Sequence, residues 1–420
     1  MNTDKVILCD YLNPISDKKT KFIRSAAVGL KKKSMGFVIA KVMPASQVSL
    51  KGFKGELIDR SHHLMIPALY DMHFHWVQDD VRLMPKDHLM EWLENYTWPY
   101  EKKFKSLRYS KQRSIRFARE LLSVGTLGGA IYGSLHAHTV DHALENFIGN
   151  FVAGNVLMTM NSPKGLLQTK KGAIQSVSNG LKKHGNKYAV TPRFAPTTHP
   201  EVMKEAGKLA KKKKALIQTH LCENPDEIRF VMDHFKRFPG FENILSYTEV
   251  YKKCGLLGPK SLMGHAIHMS DQELSMLSNT GTSVIHCPTS NAPVSEKGLG
   301  SGLFDFKRTE KAGVSWALGS DIGGGPFLSM LDVMNSFVGQ NRKRKRYEAT
   351  FTKALYRSTL KGAKLLGLKN RGNLDSGNWA DFVLLPKTRR KKTEDGESVM
   401  KKLLRNSLRD RRLYEEMVRE

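Results

Sequence analysis

From about residue 65 to 330 the chain repeats one alternation eight times, an apolar run and then a polar, helix-like stretch, and no other feature restricts its fold as much. The runs are "LMIPALYDMHFHW", "VGTLGGAIYGSL", "NFVAGNVLMTM", "YAVTPRFAP", "ALIQTHL", "SLMGHAIHM", "TSVIHCPTS" and "VSWALGSD". Strands buried on both faces read as such continuous apolar runs. Between them lie amphipathic stretches such as "SKQRSIRFARELLSVG", "HPEVMKEAGKLAKKKK" and "DQELSMLSNTG", with Ser, Pro or Asp near the starts and Gly near several ends. Eight strands in strict alternation with helices predict an α/β chain folded as a (β/α)8 TIM-like barrel. A doubly wound sheet has the same alternation and is the alternative.

The flanks break the rhythm. Residues 1–64 hold the strand-like pieces "KVILCD", "FIRSAAVGL" and "MGFVIAKV", and "GNLDSGNWADFVLLP" near the other end is a turn followed by a strand. Neither flank can bury much alone, so both chain ends are expected to form one small β domain. Residues 1–64 would be its first part, 65–370 the barrel, and 371–420 its second part with a basic tail. A closing strand with a Gly hairpin at the C-terminus is not evident.

A chain of 420 residues, 40% of them hydrophobic, suffices for one large barrel and such an attachment. No run approaches the ~18 apolar residues of a membrane span. The opening "MNTDKVILCDYLNPISDKK" lacks a secretory pattern, so a cytoplasmic, non-membrane protein is expected. Cys9, Cys222, Cys254 and Cys287 show no close spacing and are read as reduced thiols. The net charge of +28 includes the runs "KKKK" (211–214), "NRKRKR" (341–346) and "TRRKK" (388–392). Such a balance favours contact with nucleic acid or anionic surfaces. No nucleic-acid motif or interleaved aromatic pattern accompanies the runs, so we read them as solvated helix ends and loops without a functional nucleic-acid partner.

In a barrel, chemistry is done at the C-terminal ends of strands. The first strand ends in His73 and His75, whose spacing places both on one face. The fifth ends in His220 with Glu223 just beyond, the sixth in His265 and the eighth in Asp321. Three imidazoles and a carboxylate suit zinc or iron and leave a position for water, whose pKa a divalent ion lowers from about 15.7 toward ~7. Each residue has a plainer explanation: His220 and His265 as core histidines, Asp321 before "IGGGP" as a turn residue, Glu223 before "NPDE" as a helix-start acid. Independent structural reasons would not place all of them at strand ends. His136 and His138 in "LHAH" follow the second strand and form a weaker candidate, because no acid closes that side.

Longer motifs make a resemblance specific. "DMHFHW", "QTHLCENPDEI", "MGHAIHMSDQEL", "HCPTSNAPVSEKGLGSGLFDF" and "LGSDIGGGPFLSML" resemble, in order, the motifs of the amidohydrolase superfamily in its nucleobase and triazine branch. "LMEWLENYTWPYEKKF" (89–104) and "TPRFAPTTHPE" (191–201) are similar to its guanine-deaminating members in particular. That resemblance implies a hydrolase with one divalent metal, zinc or alternatively Fe2+, held by His73, His75, His220 and Asp321. Glu223 would shuttle protons, His265 would sit beside the attacking water with Asp321 assisting, and Gln78, Arg193, Phe194 and Glu223 would bind a purine. The implied reaction converts guanine and water to xanthine and ammonia, in a homodimer. The rivals are a related heterocycle such as a pterin, 8-oxoguanine or an aminotriazine, and an inactive basic binding protein on the same scaffold. Two departures stand out: Val77 replaces the usual Pro, and "APVSEKG" after Asn291 is an insertion.

Overall fold

At Pro67 the chain leaves one sheet, and at Leu69 it enters another. The computed structural model describes residues 3–49, 51, 53–86, 89–386 and 395–407. The basic run at 388–392 and the tail from 408 lie outside the described residues. β1 (Lys5–Pro14), β2 (Thr20–Lys33), β3 (Gly36–Pro44) and β4 (Glu56–Pro67) precede the switch. After it come β5 (Leu69–Phe74), β6 (Thr126–Gly133), β7 (Asn150–Leu157), β8 (Ala189–Pro192), β9 (Leu216–Leu221), β10 (Ser261–His265), β11 (Ser283–His286) and β12 (Trp316–Leu318). β13 (Phe382–Pro386) is last.

One compact unit takes residues 1–70, 121–128 and 329–420. Its five-stranded sheet runs β13-β4-β1-β2-β3, with β1 parallel to β4 and the other pairs antiparallel. Alternate residues Ile7, Cys9 and Tyr11 of β1 and Ala26, Val28 and Leu30 of β2 enter one buried cluster, as the period of two requires. The turn ahead of β13 is pinned to β1: Tyr11 Oη donates to Leu374 O (2.8 Å) and Leu374 N to Asn13 Oδ1 (2.8 Å). β13 is the strand expected in "GNLDSGNWADFVLLP", and among the described residues no further strand follows it. Glu397 on the helix Gly396–Ser407 accepts from Phe351 N (2.9 Å) and Thr352 N (2.7 Å), capping the helix Phe351–Arg357.

The other unit, residues 71–120 and 129–328, holds most of an eight-stranded sheet ordered β12-β11-β10-β9-β8-β7-β6-β5. Asp321 N donates to His73 O (2.7 Å) and Ser320 N to Asp71 Oδ1 (2.8 Å). The chain just beyond β12 thus lies beside β5, and the parallel sheet comes nearly full circle as a barrel. β5, β6 and β10 are buried at every residue, which explains their continuous apolar runs. Helices start immediately past the strand ends through capping boxes, Asn224 with Glu227 after β9 and Ser270 with Glu273 after β10. All the site residues predicted from the sequence belong to this unit.

Cys9, Cys222, Cys254 and Cys287 are buried thiols. Lys211 to Lys214 are exposed, and of the second run Lys343, Arg344 and Lys345 are exposed while Asn341 is buried. Among the described residues no helix is long and apolar enough to cross a membrane.

Candidate active site

His73 is on β5, His75 lies just beyond its end, His220 is the penultimate residue of β9, and Asp321 follows β12. One donor atom from each of the four lies within 4.8 Å of every other. The Nε2 atoms of His75 and His220 are 3.1 Å apart, and Asp321 Oδ1 is 3.3 Å from His73 Nε2 and 3.6 Å from His75 Nε2. Donors about 2.0–2.1 Å from one tetrahedral ion would be about 3.3 Å apart, so these spacings fit a bound divalent metal. Orientation agrees. His220 Nδ1 is 2.6 Å from the Arg193 carbonyl, which only accepts, so Nδ1 carries the proton and the Nε2 lone pair faces the cluster.

Burial lowers the pKa of His73, His75 and His220, keeping these imidazoles neutral as ligands must be. Burial acts against ionisation of Asp321 as well, but its hydrogen bond with His73 and the nearby His265, whose own pKa is raised, hold its carboxyl well below the usual range. Asp321 and His265 adopt left-handed backbone, φ 52° and 69°. Strained positions of this kind cluster at functional sites because the surroundings must over-determine them.

Glu223 stands beside this cluster. Its Oε2 is 3.5 Å from His265 Nε2, and its Oε1 accepts from Ser301 Oγ (3.0 Å) and Asn291 Nδ2 (3.3 Å). Glu227, not Glu223, closes the helix capping box, and its Oε2 also accepts from Glu223 N (3.0 Å). The plainer explanation of Glu223 as a helix-start acid is thereby removed. Burial pushes its carboxyl up to about 7.

A cavity opens over these groups, lined also by Gln78, Arg193, Phe194, Trp92 and Leu299. Arg193 is buried on the wall, and its Nη1 donates to both oxygens of Glu101 at 2.9 and 2.8 Å. Gln78 Nε2 donates to the same Oε1 at 2.6 Å. Just past the insertion after Asn291, Leu299 lines the cavity and Ser301 binds Glu223. Val77 is fully buried in the turn that carries Gln78.

Residues 64–406 match the Amidohydrolase family. The chain belongs to that family. This amidohydrolase is 33% identical over 350 residues to the guanine deaminase of Escherichia coli (strain K12), a match covering 81% of this chain and 75% of the relative. A solved structure of E. coli guanine deaminase superposes with a TM-score of 0.85 at 28% identity, covering 97% of this chain and 96% of that one. Guanine deaminase from C. acetobutylicum, solved with guanine in its active site, superposes at 0.77 and 28% identity, with 91% and 90% covered.

All the residues expected at the amidohydrolase site from its sequence are gathered at one end of the barrel. His136 and His138 are elsewhere: His138 Nε2 lies 2.7 Å from the Phe104 carbonyl, and neither residue belongs to a cluster of three or more ligand groups among the described residues. Asn291 and Ser301, which bind Glu223, and Trp92 and Leu299 on the cavity wall were not singled out from the sequence, and neither were Glu101 and Gly264. Glu101 lies inside the quoted "TWPYEKKF", but a glutamate in a helical stretch gives no sign that it is buried. Gly264 on β10 matters because a Cβ there would meet His73 Cε1 at 2.6 Å and Nδ1 at 2.9 Å. Gly264→Ala should therefore displace the His73 ring and lower metal content per chain at least tenfold by elemental analysis, while the circular dichroism spectrum stays that of the parent.

Proposed function

We propose that this amidohydrolase deaminates guanine, taking guanine and water to xanthine and ammonia. The observation that carries the proposal is a single cavity lined by Glu223, Arg193, Gln78 and Phe194 together with His75, His220 and Asp321 of the four-donor cluster, with His265 against Glu223. The naming of the relatives as guanine deaminases supports it. A divalent ion on His73, His75, His220 and Asp321, zinc by its donor set with Fe2+ as the alternative, would supply the Lewis acidity that makes water nucleophilic at neutral pH.

The chain's own residues do the rest. Glu223 takes a proton from the water as the C2–O bond forms and delivers it to N3. The second proton passes through Glu223 to the C2 amino nitrogen, the C–N bond breaks, ammonia leaves and C2 becomes a carbonyl. Glu223, whose carboxyl burial raises to about 7, carries both protons, and Asp321 of the adjoining cluster assists as ligand and base. His265, 3.5 Å from Glu223, would orient the water.

Ammonia release across guanine, 8-oxoguanine, a pterin and an aminotriazine tests the proposal: guanine should have the highest kcat/KM, and a higher value for any of the others would replace it as the substrate. Because guanine is neutral, steering by the +28 net charge contributes little. Turnover should change less than about threefold between low and moderate salt, whereas phosphate-backbone binding would fall steeply by counterion release.

A further inference from the structure

Glu101 makes none of the contacts expected of a proton carrier or a metal ligand, yet its side chain is 1% exposed and touches two of the groups that line the purine pocket. Its carboxylate can only accept, so the amide of Gln78 must turn its Nε2 to Glu101, which leaves Oε1 as the group available to a ligand. Arg193 meets both carboxylate oxygens through Nη1 alone. Its remaining donors, Nη2 and Nε, are not spent on this pair. The pocket wall thus offers a donor from Arg193 beside an acceptor from Gln78. That order matches the adjoining O6 and N1–H of guanine and opposes the amino group and bare N1 of adenine.

The same carboxylate cancels the guanidinium charge. Without it, Arg193 would be a buried cation without its ion-pair partner, in a cavity where Leu89, Trp92, Leu93 and Phe194 exclude water and attraction for an anion is stronger than in water. We propose that Glu101 is a positioning and charge-balancing residue: it fixes the hydrogen-bonding order of Gln78 and Arg193, and it keeps the pocket selective for neutral over anionic purines. This rests on the assignment of the cavity to a purine made above.

The test uses metal-loaded protein and urate, a purine that is anionic at neutral pH. Glu101→Gln removes the charge and lets the two partners turn. It should lower guanine kcat/KM about 10²-fold, as small misplacements in a site do, with metal content unchanged. Urate should bind at least about tenfold more tightly by calorimetry, since a buried cation has lost its partner. A role in packing alone would tighten nothing. Glu101→Asp keeps the charge and should keep urate binding at the parent's level.

Unchanged urate affinity in Glu101→Gln, with guanine kcat/KM within twofold of the parent, would overturn the proposal. If Glu101→Gln does not accumulate as folded protein, Glu101→Gln with Arg193→Met is compared with Arg193→Met alone. Because Glu101 acts through Arg193 and Gln78, the double variant should lose much less than the about 10²-fold expected of Glu101→Gln by itself, and a further loss of the full 10²-fold would overturn the proposal. Should the parent itself fail to deaminate guanine, the proposed function fails, while the urate comparison still decides the role of Glu101.

Discussion

Arg193→Met should lower guanine kcat/KM by about 10⁴-fold while metal content stays at the parent's level. A guanidinium donates and never accepts, and guanine presents an acceptor at O6 where adenine presents an amino donor. Sites built around such a bond reject the wrong partner by ~10⁴ or more, because a buried polar group is left unpaired. The ion pair with Glu101 makes the substitution a structural change as well. Losing one partner of a buried pair costs about 3–5 kcal/mol, so the melting temperature should fall too. Adding Glu101→Gln should restore much of the stability and none of the turnover. Kinetics, elemental analysis and thermal unfolding on the two variants check all three statements. Recovery of guanine turnover in the double variant would show that the loss came from folding, not recognition.

Glu223→Gln should reduce kcat by about 10²–10⁴, the range that general acid-base assistance supplies. Glutamine preserves the shape and can still meet Ser301 and Asn291, but it cannot carry a proton. Burial pushes the Glu223 carboxyl up to about 7, above the usual carboxylate range. A base works only when deprotonated, so turnover by the parent should fall as the pH drops below about 7, and Glu223→Gln should lack that acid limb. His220→Ala differs in kind, since it should lose metal along with activity. Near-parental turnover by Glu223→Gln would assign the proton transfers to another group.

The barrel was legible because its strands are buried on both faces, so hydrophobic continuity marked all eight. The cluster of His73, His75, His220 and Asp321 was legible from the spacing of His73 and His75 and from the rule that chemistry sits at strand ends. The change of sheets at Pro67 was not. "LMIPALYDMHFHW" is one apolar run, but Leu64 to Pro67 pair with β13 and Leu69 to Phe74 join the barrel. What separates them is a partner strand more than 300 residues away, and Ala68 N donates to Asp381 O (2.9 Å) at the changeover. Glu101 was hidden for the same reason. Helical context marks a glutamate as solvent-facing, and its burial is made tolerable by Arg193, 92 residues on, together with Gln78. Gly264 gave no signal either, because the His73 ring that fills the space beside it comes from a different strand.

The most direct measurement is ammonia release from guanine and from adenine by protein loaded with one zinc ion per chain. The account predicts that guanine is deaminated with a kcat/KM at least about 10⁴ above that for adenine, and that a chelator abolishes the reaction until metal is restored. Adenine turned over as well as guanine, or guanine turned over equally well by metal-free protein, would contradict it.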